Sequence, residues 1–321
     1  MRILFAGSPA IAVPTLAAIA GQHKVVGILT NPESEQGRGR AIGRTPVAEE
    51  ALRIFGASVP ILAPEKLDAG ARAAVAALAP DILLTFAYGK IFGPKFLALF
   101  PLGGLNVHPS LLPKYRGPSP IQHAILRRDS ETGVCVQELA LEMDSGSLLE
   151  AESFALTGRE TQGSLSERCA EIGARLALKV LEKMEDGRVA PMPQVGIPSY
   201  CEKIAKEDGL IDWANSCLDI DAKVRAFNPW PLAHSFLGGI RLNIFETFPY
   251  PQETLPKAEC GTIIGYDRER GIMATTGDGL LAIRTLQFSG RKILSDKDFV
   301  NGFRNLSGAR LSGGTQDNLA I

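Results

Sequence analysis

Apolar runs of four to six residues alternate with amphipathic stretches through the first half of the chain. Ile3 to Ala6 is an apolar run ending at Gly7, and Pro9 then opens a helical pattern over Ile11 to Ala20. Val25 to Leu29 predicts a second strand, Pro46 to Phe55 a helix, Val59 to Leu62 a short strand, Ala69 to Leu78 an Ala-rich helix and Asp81 to Phe86 a further strand. The strands are apolar on both faces, as they must be when helices cover both sides of a parallel sheet. The first half is therefore read as α/β. Ligands of such sheets sit beyond the carboxyl ends of the strands. Gly133 to Met143 and Leu148 to Phe154 are later strand candidates, and Thr161 to Met184 is the longest helical stretch.

The texture then changes. Gly187 to Ser199 carries Pro191, Pro193 and Pro198 with little periodicity and reads as a connector. Beyond it Ile220 to Ala226 looks helical. Short strand candidates follow at Ala233 to Leu237, Arg241 to Thr247, Gly261 to Ile264, Ile272 to Thr275 and Leu280 to Gln287, separated by Gly-rich turns. Such spacing predicts a small barrel. The expected organisation is a first domain over 1–187, a linker over 188–205 and a barrel over 206–321, ending in a loose tail.

Composition narrows the classes. A chain of 321 residues suits two domains, and 45% apolar with 21% charged residues is ordinary for globular proteins. The formal net charge of −1 gives no whole-chain basic field for nucleic acid, although a local patch can still bind phosphate. Cys135, Cys169, Cys201, Cys217 and Cys260 form no CxxC pair or zinc spacing, so no metal and no disulfide framework is expected. The chain starts directly on Ile3-Leu4-Phe5 without a basic leader, and no apolar run reaches the ~20 residues of a membrane span. A cytoplasmic protein without a membrane partner is expected.

Candidate chemistry concentrates in Asn106-Val107-His108-Pro109-Ser110-Leu111-Leu112-Pro113. In an extended segment Asn106 and His108 project from one face, where an amide and an imidazole can donate to a developing oxyanion. Asp144 closes the apolar run Val134 to Met143 just before Gly146, and a carboxylate beside an imidazole can hold it protonated and carry a proton. Singly, a turn Asp caps backbone N–H groups and a lone His packs. Together, without a nucleophile turn, the three suit transfer of an activated acyl group to an amine. Gly7-Ser8-Pro9 has one glycine and reads as a tight strand-to-helix turn, not as a dinucleotide loop.

The segment Asn106-x-His108-Pro-Ser-Leu-Leu-Pro113, followed by Asp144-x-Gly146, resembles the signature of the folate-dependent formyltransferases. Phe5-Ala-Gly-Ser-Pro9, Gly37-Arg-Gly-Arg40, Ala87-Tyr-Gly89, Arg116-Gly117, Ile211-Asp-Trp213, Arg225-Ala-Phe-Asn-Pro-Trp-Pro231 and Ala274-Thr-Thr-Gly-Asp-Gly279 stand in the order of the branch that formylates initiator methionyl-tRNA. The resemblance implies a Rossmann-like formyltransferase domain and an OB-like barrel that helps bind tRNA. It implies 10-formyltetrahydrofolate as co-substrate, Asn106, His108 and Asp144 as the catalytic set, and a monomer. It also implies a folate site bounded by Ser110, Leu111, Leu112 and Pro113, with Tyr88, Gly89, Ile91, Leu141 and Met143 walling the pterin, and Arg38 and Arg40 reaching the tRNA acceptor end. The second half departs from the basic character expected of such a barrel: Tyr200 to Ile321 holds 14 Lys and Arg against 15 Asp and Glu. Sugar-nucleotide formyltransferases share the catalytic signature, and a non-catalytic tRNA-binding protein is a further alternative, disfavoured by the intact Asn106, His108 and Asp144.

Overall fold

The structure, a computed structural model, describes residues 1–36, 41–251, 257–303 and 306–313. Two compact units are present. The first comprises Met1–Pro120, Glu131–Ala155 and Leu165–Glu202, and the second Ile121–Ser130, Leu156–Ser164 and Lys203–Ile321.

The elements up to residue 185 run in the order β1 (Arg2–Gly7), α1 (Val13–Ala20), β2 (Lys24–Leu29), β3 (Ser34–Gln36), β4 (Ala41–Gly43), α2 (Pro46–Phe55), β5 (Ile61–Leu62), α3 (Ala69–Ala77), β6 (Ile82–Phe86), α4 (Pro94–Leu97), β7 (Gly104–His108), α5 (Pro120–Leu126), β8 (Glu131–Glu138), β9 (Leu148–Ala155) and α6 (Gln162–Glu185). The sheet of the first unit has the order β5-β2-β1-β6-β7-β8-β9. Its first five strands are parallel, and β8 and β9 are antiparallel. The continuous apolar runs become central strands: Ile3, Leu4, Phe5 and Ala6 of β1 and Ile82, Leu83 and Leu84 of β6 are fully buried. Thr45 caps α2 by accepting from the Ala48 N–H, and Asp68 caps α3 by accepting from that of Ala71. Gly7 is tightly enclosed, since a Cβ there would stand 2.9 Å from the Phe86 carbonyl. On the back of the sheet Gly173 lets α6 approach, because a Cβ would meet Val107 at 2.8 Å and Phe86 at 3.1 Å.

Three segments differ from expectation. The Val59 to Leu62 strand shortens to Ile61–Leu62. The strand expected over Gly133 to Met143 ends at Glu138. The chain then folds back in a turn where Asp144 takes φ +51° and the Gly146 α-carbon lies against the Glu138 backbone, so Leu141 and Met143 are exposed turn residues. The Pro-rich stretch expected as linker is bound to the first unit as far as Glu202. Its backbone pairs Leu148 with Met192 and Arg116 with Tyr200. Prolines suppress regular secondary structure without preventing such isolated pairings.

The second unit holds α7 (Cys217–Ala226), β10 (His234–Leu237), β11 (Ile240–Tyr250), β12 (Ile263–Asp267), β13 (Gly271–Thr275), β14 (Leu280–Phe288), β15 (Leu294–Ser295), α8 (Asp296–Gly302) and β16 (Leu311–Ser312). The antiparallel path β12-β13-β14-β11-β10-β16 curls until its ends meet. The Leu311 N–H donates to the Gly261 carbonyl, and the Ile263 N–H to that of Ala309. Trp213, Leu242, Ile244, Ile263, Leu281, Ile283 and Phe299 fill the interior, which completes the expected barrel. Asp221 is buried and paired with Arg225 at 2.8 Å, and it accepts from Thr247. No helix among the described residues is long and apolar enough to cross a membrane.

Candidate active site

The site grows out of strand register. Asn106 and His108 alternate with Val107 on β7, so they share one face while Val107 turns to α6. Across the antiparallel ladder Asn106 lies opposite Gln137 and His108 opposite Cys135, so these four side chains share the face.

Asp144 is brought over this face by the turn after β8. Its Oδ1 accepts from Asn106 Nδ2 at 3.1 Å and Gln137 Nε2 at 3.0 Å, and its Oδ2 accepts from the Gly117 N–H at 2.8 Å. Oδ2 also lies 3.7 Å from His108 Nδ1. The other imidazole nitrogen, Nε2, lies 3.0 Å from the Tyr115 carbonyl oxygen. Asp144 thus lies against both other residues singled out by sequence, Asn106 and His108. Asp residues tolerate positive φ better than most, which suits one to this turn.

The surroundings decide between covalent and direct transfer. Cys135 stands beside His108, but burial pushes its thiol up to about 11 despite a backbone hydrogen bond at Leu112. Cys201, which accepts from the Ser119 N–H, is likewise pushed up to about 11 by burial, with the Asp144 charge adding. Neither supplies a thiolate near neutral pH, so neither is an activated nucleophile. The set of one carboxylate, one imidazole and one amide provides hydrogen-bond donors and a proton carrier.

The other expected residues are distributed as follows. Ser110 is buried and its hydroxyl donates to the Lys114 carbonyl at 2.5 Å, which ties the turn that also carries Leu111, Leu112 and Pro113. Tyr88 is buried and stacked on Phe92; burial raises its phenol to about 12, and its hydroxyl has no hydrogen-bond partner among the described residues. Gly89 follows at φ +82°. Ile91, Leu141 and Met143 are large apolar side chains left 77%, 67% and 49% exposed. Arg38 and Arg40 lie outside the described residues, between β3 and β4. Among the described residues no cluster of His, Cys, Asp or Glu is placed to hold a metal ion.

Sequence reasoning missed Gln137, Gln194 and the Gly117 N–H. Gln137 left a signal, a polar residue inside the run Val134 to Met143 that is nonetheless buried. Gln194 left none.

Residues 1–181 match the family described as formyl transferase, and residues 203–304 match the formyl transferase C-terminal domain. A methionyl-tRNA formyltransferase of Treponema pallidum (strain Nichols) is 42% identical over 317 residues, covering 97% of this chain and 99% of that protein. One from Borrelia hermsii is 39% identical over 313 residues, covering 96% and 99%. Among solved structures, HypX from Aquifex aeolicus in complex with tetrahydrofolic acid superposes with a TM-score of 0.62 at 20% identity, covering 96% of this chain and 48% of that one. WlaRD, a sugar 3N-formyl transferase, gives 0.61 at 18% identity, covering 91% and 99%. At such identities the structural likeness concerns the fold alone.

Proposed function

This chain belongs to the formyl transferase family, and on that premise we propose that it transfers the formyl group of 10-formyltetrahydrofolate to the free α-amine of initiator methionyl-tRNA, releasing tetrahydrofolate. The observation that carries the reading is the contact of Asn106 and His108 with Asp144 on one strand face. The near full-length identity to methionyl-tRNA formyltransferases supports the choice of acceptor.

The amine attacks the formyl carbon, and the carbonyl oxygen becomes an oxyanion. Asn106 spends one amide hydrogen on Asp144 and has a second to donate to that oxygen. His108, its Nε2 3.0 Å from the Tyr115 carbonyl and its Nδ1 facing Asp144, stands on the same strand face and helps stabilise that charge. Asp144 receives the amine proton through His108 or a water, and as the intermediate collapses that proton passes to the departing folate nitrogen, which regenerates the carboxylate. Loss of one such donor typically raises the barrier by about 3 kcal/mol.

The apolar surfaces of Ile91, Leu141 and Met143 are suited to cover a pterin ring, and Tyr88, Gly89 and Ser110 to Pro113 shape the backbone around it. Arg38 and Arg40 contact the acceptor end of the tRNA, where guanidinium groups suit phosphate and base edges. The barrel unit supplies further tRNA contacts. The enzyme acts as a monomer in the cytoplasm and uses no metal.

The test is incubation of the full chain with 10-formyltetrahydrofolate and charged initiator tRNA, with formylmethionyl-tRNA as readout. Formyl transfer that depends on the charged tRNA is expected. Transfer to an amino-sugar nucleotide and none to methionyl-tRNA overturns the assignment.

A further inference from the structure

The Asp144 carboxylate is held by Asn106, Gln137 and the Gly117 N–H, but the rest of its turn has few bonds of its own. Leu141, Glu142 and Met143 are exposed, and among the described residues Ser145 bonds within the turn, to the Glu142 carbonyl. The turn needs an anchor from outside, because a catalytic carboxylate must be held to about 0.5 Å.

That anchor comes from the Pro-rich stretch after α6. Within 192–198 every residue is exposed except Gln194, which turns inward. Gln194 Nε2 donates to the Asp144 carbonyl at 2.8 Å and to the Gly146 carbonyl at 2.9 Å, and it lies 3.3 Å from Gln137 Oε1. Its Oε1 accepts from Arg116 Nη2 at 2.8 Å and Nε at 3.2 Å. Arg116 also faces Glu142 of the turn at 3.5 Å. The same stretch fixes the loop that presents the Gly117 N–H to Asp144. The Tyr115 N–H donates to Ser199 Oγ, the Arg116 N–H to the Ser199 carbonyl, and the Cys201 N–H to the Arg116 carbonyl.

We infer that Gln194 is a positioning residue of the active site, fixing the Asp144 turn through two backbone carbonyls while Arg116 fixes Gln194. This rests on the formyl-transfer reading above. The amide is suited to the task in a way that neither a carboxylate nor an aliphatic side chain is. It offers two donors to the carbonyls and an acceptor to the guanidinium at once. Each bond lost leaves a backbone carbonyl of the turn without its partner. Asp144 then keeps its charge but loses its fixed place above Asn106 and His108.

The experiment compares Gln194→Leu with the wild type in the full chain, using 10-formyltetrahydrofolate and methionyl-tRNA. A fall in kcat of about tenfold or more is expected, with KM for tRNA and Kd for folate within about twofold, because the transition state and not substrate binding is affected. In an Asp144→Asn background the same change should alter the residual rate by less than about twofold, since residues acting through one another are not additive. Gln194→Glu has nearly the same shape and keeps the acceptor for Arg116 while losing both donors. It is the variant to use if Gln194→Leu fails to fold, and the same kcat-selective loss is expected. Unchanged kcat, equal losses in kcat and folate affinity, or full additivity with Asp144→Asn overturns the inference. A wild-type chain that does not formylate methionyl-tRNA overturns the functional reading, and this inference with it.

Discussion

Asp144→Asn separates the two jobs of this carboxylate, holding the turn and serving the reaction. Three donors converge on it: Asn106 and Gln137 on Oδ1 and the Gly117 N–H on Oδ2. An asparagine has one acceptor oxygen. If that oxygen takes the Oδ1 place, its NH2 group faces the Gly117 N–H and His108. If it is flipped, the NH2 group faces two amides. The milder arrangement orphans one backbone donor, which costs about 1–3 kcal/mol. At about 2–4 °C per kcal/mol for a chain of this class, Tm should fall by about 2–12 °C while the fold persists. Removing the charge that receives the proton should slow chemistry by about 10²–10⁴, equivalent to about 3–5 kcal/mol of barrier. The assays are thermal melting, equilibrium folate binding, and single-turnover formylation of methionyl-tRNA with enzyme in excess. A lowered Tm with a single-turnover rate within about threefold of wild type would refute the argument, because Asp144 would then be only the buckle of the turn.

Three further perturbations test other parts of the reasoning. Arg38→Ala should cut kcat/KM for methionyl-tRNA by about tenfold, leave folate affinity unchanged, and flatten the log–log salt dependence of tRNA binding by about 0.7–0.9; equal losses in both assays would assign the loop to the folate site or the fold. Tyr88→Phe removes a buried hydroxyl that has no partner among the described residues, so the ligand-free protein should melt about 2–4 °C higher, and a lower Tm would mean that the hydroxyl is bonded. Gly173→Ala drives a methyl group to 2.8 Å from Val107 and 3.1 Å from Phe86, which should cost about 1–3 kcal/mol by overpacking, and an unchanged Tm would contradict the close approach of α6 to the sheet.

How far the site was legible depends on whether its contacts follow local rules. Asn106 and His108 could be read together because strand alternation fixes a shared face from sequence spacing alone. Asp144 could be paired with them because an apolar run ending in Asp-x-Gly marks a turn. The strand was expected to deliver Asp144 at its end, whereas β8 stops at Glu138 and the chain doubles back over its own face. The apolar residues Leu141 and Met143 extended the strand pattern falsely, because an exposed apolar side chain and a buried one look alike in sequence.

The residues that hold Asp144 in place escape for a different reason. Gln137 and Gln194 act through partners set by the fold, and the Gln194 contact to Asp144 spans 50 positions of sequence. No local period encodes it, and the prolines beside Gln194 argue for a connector. Prolines and tertiary hydrogen bonds are compatible, however. A stretch with few backbone donors cannot form a central strand, so it can bind through side chains and isolated backbone pairs, as Gln194, Met192 and Ser199 do. That changes where a dividing cut in this chain would fall. A cut near Gly187 leaves the catalytic triplet complete in composition but removes Gln194 and Ser199, so the Asp144 turn and the Gly117 loop both lose their outside support. The physical boundary of the active site therefore extends to Glu202, past the last residue that any chemical motif marks.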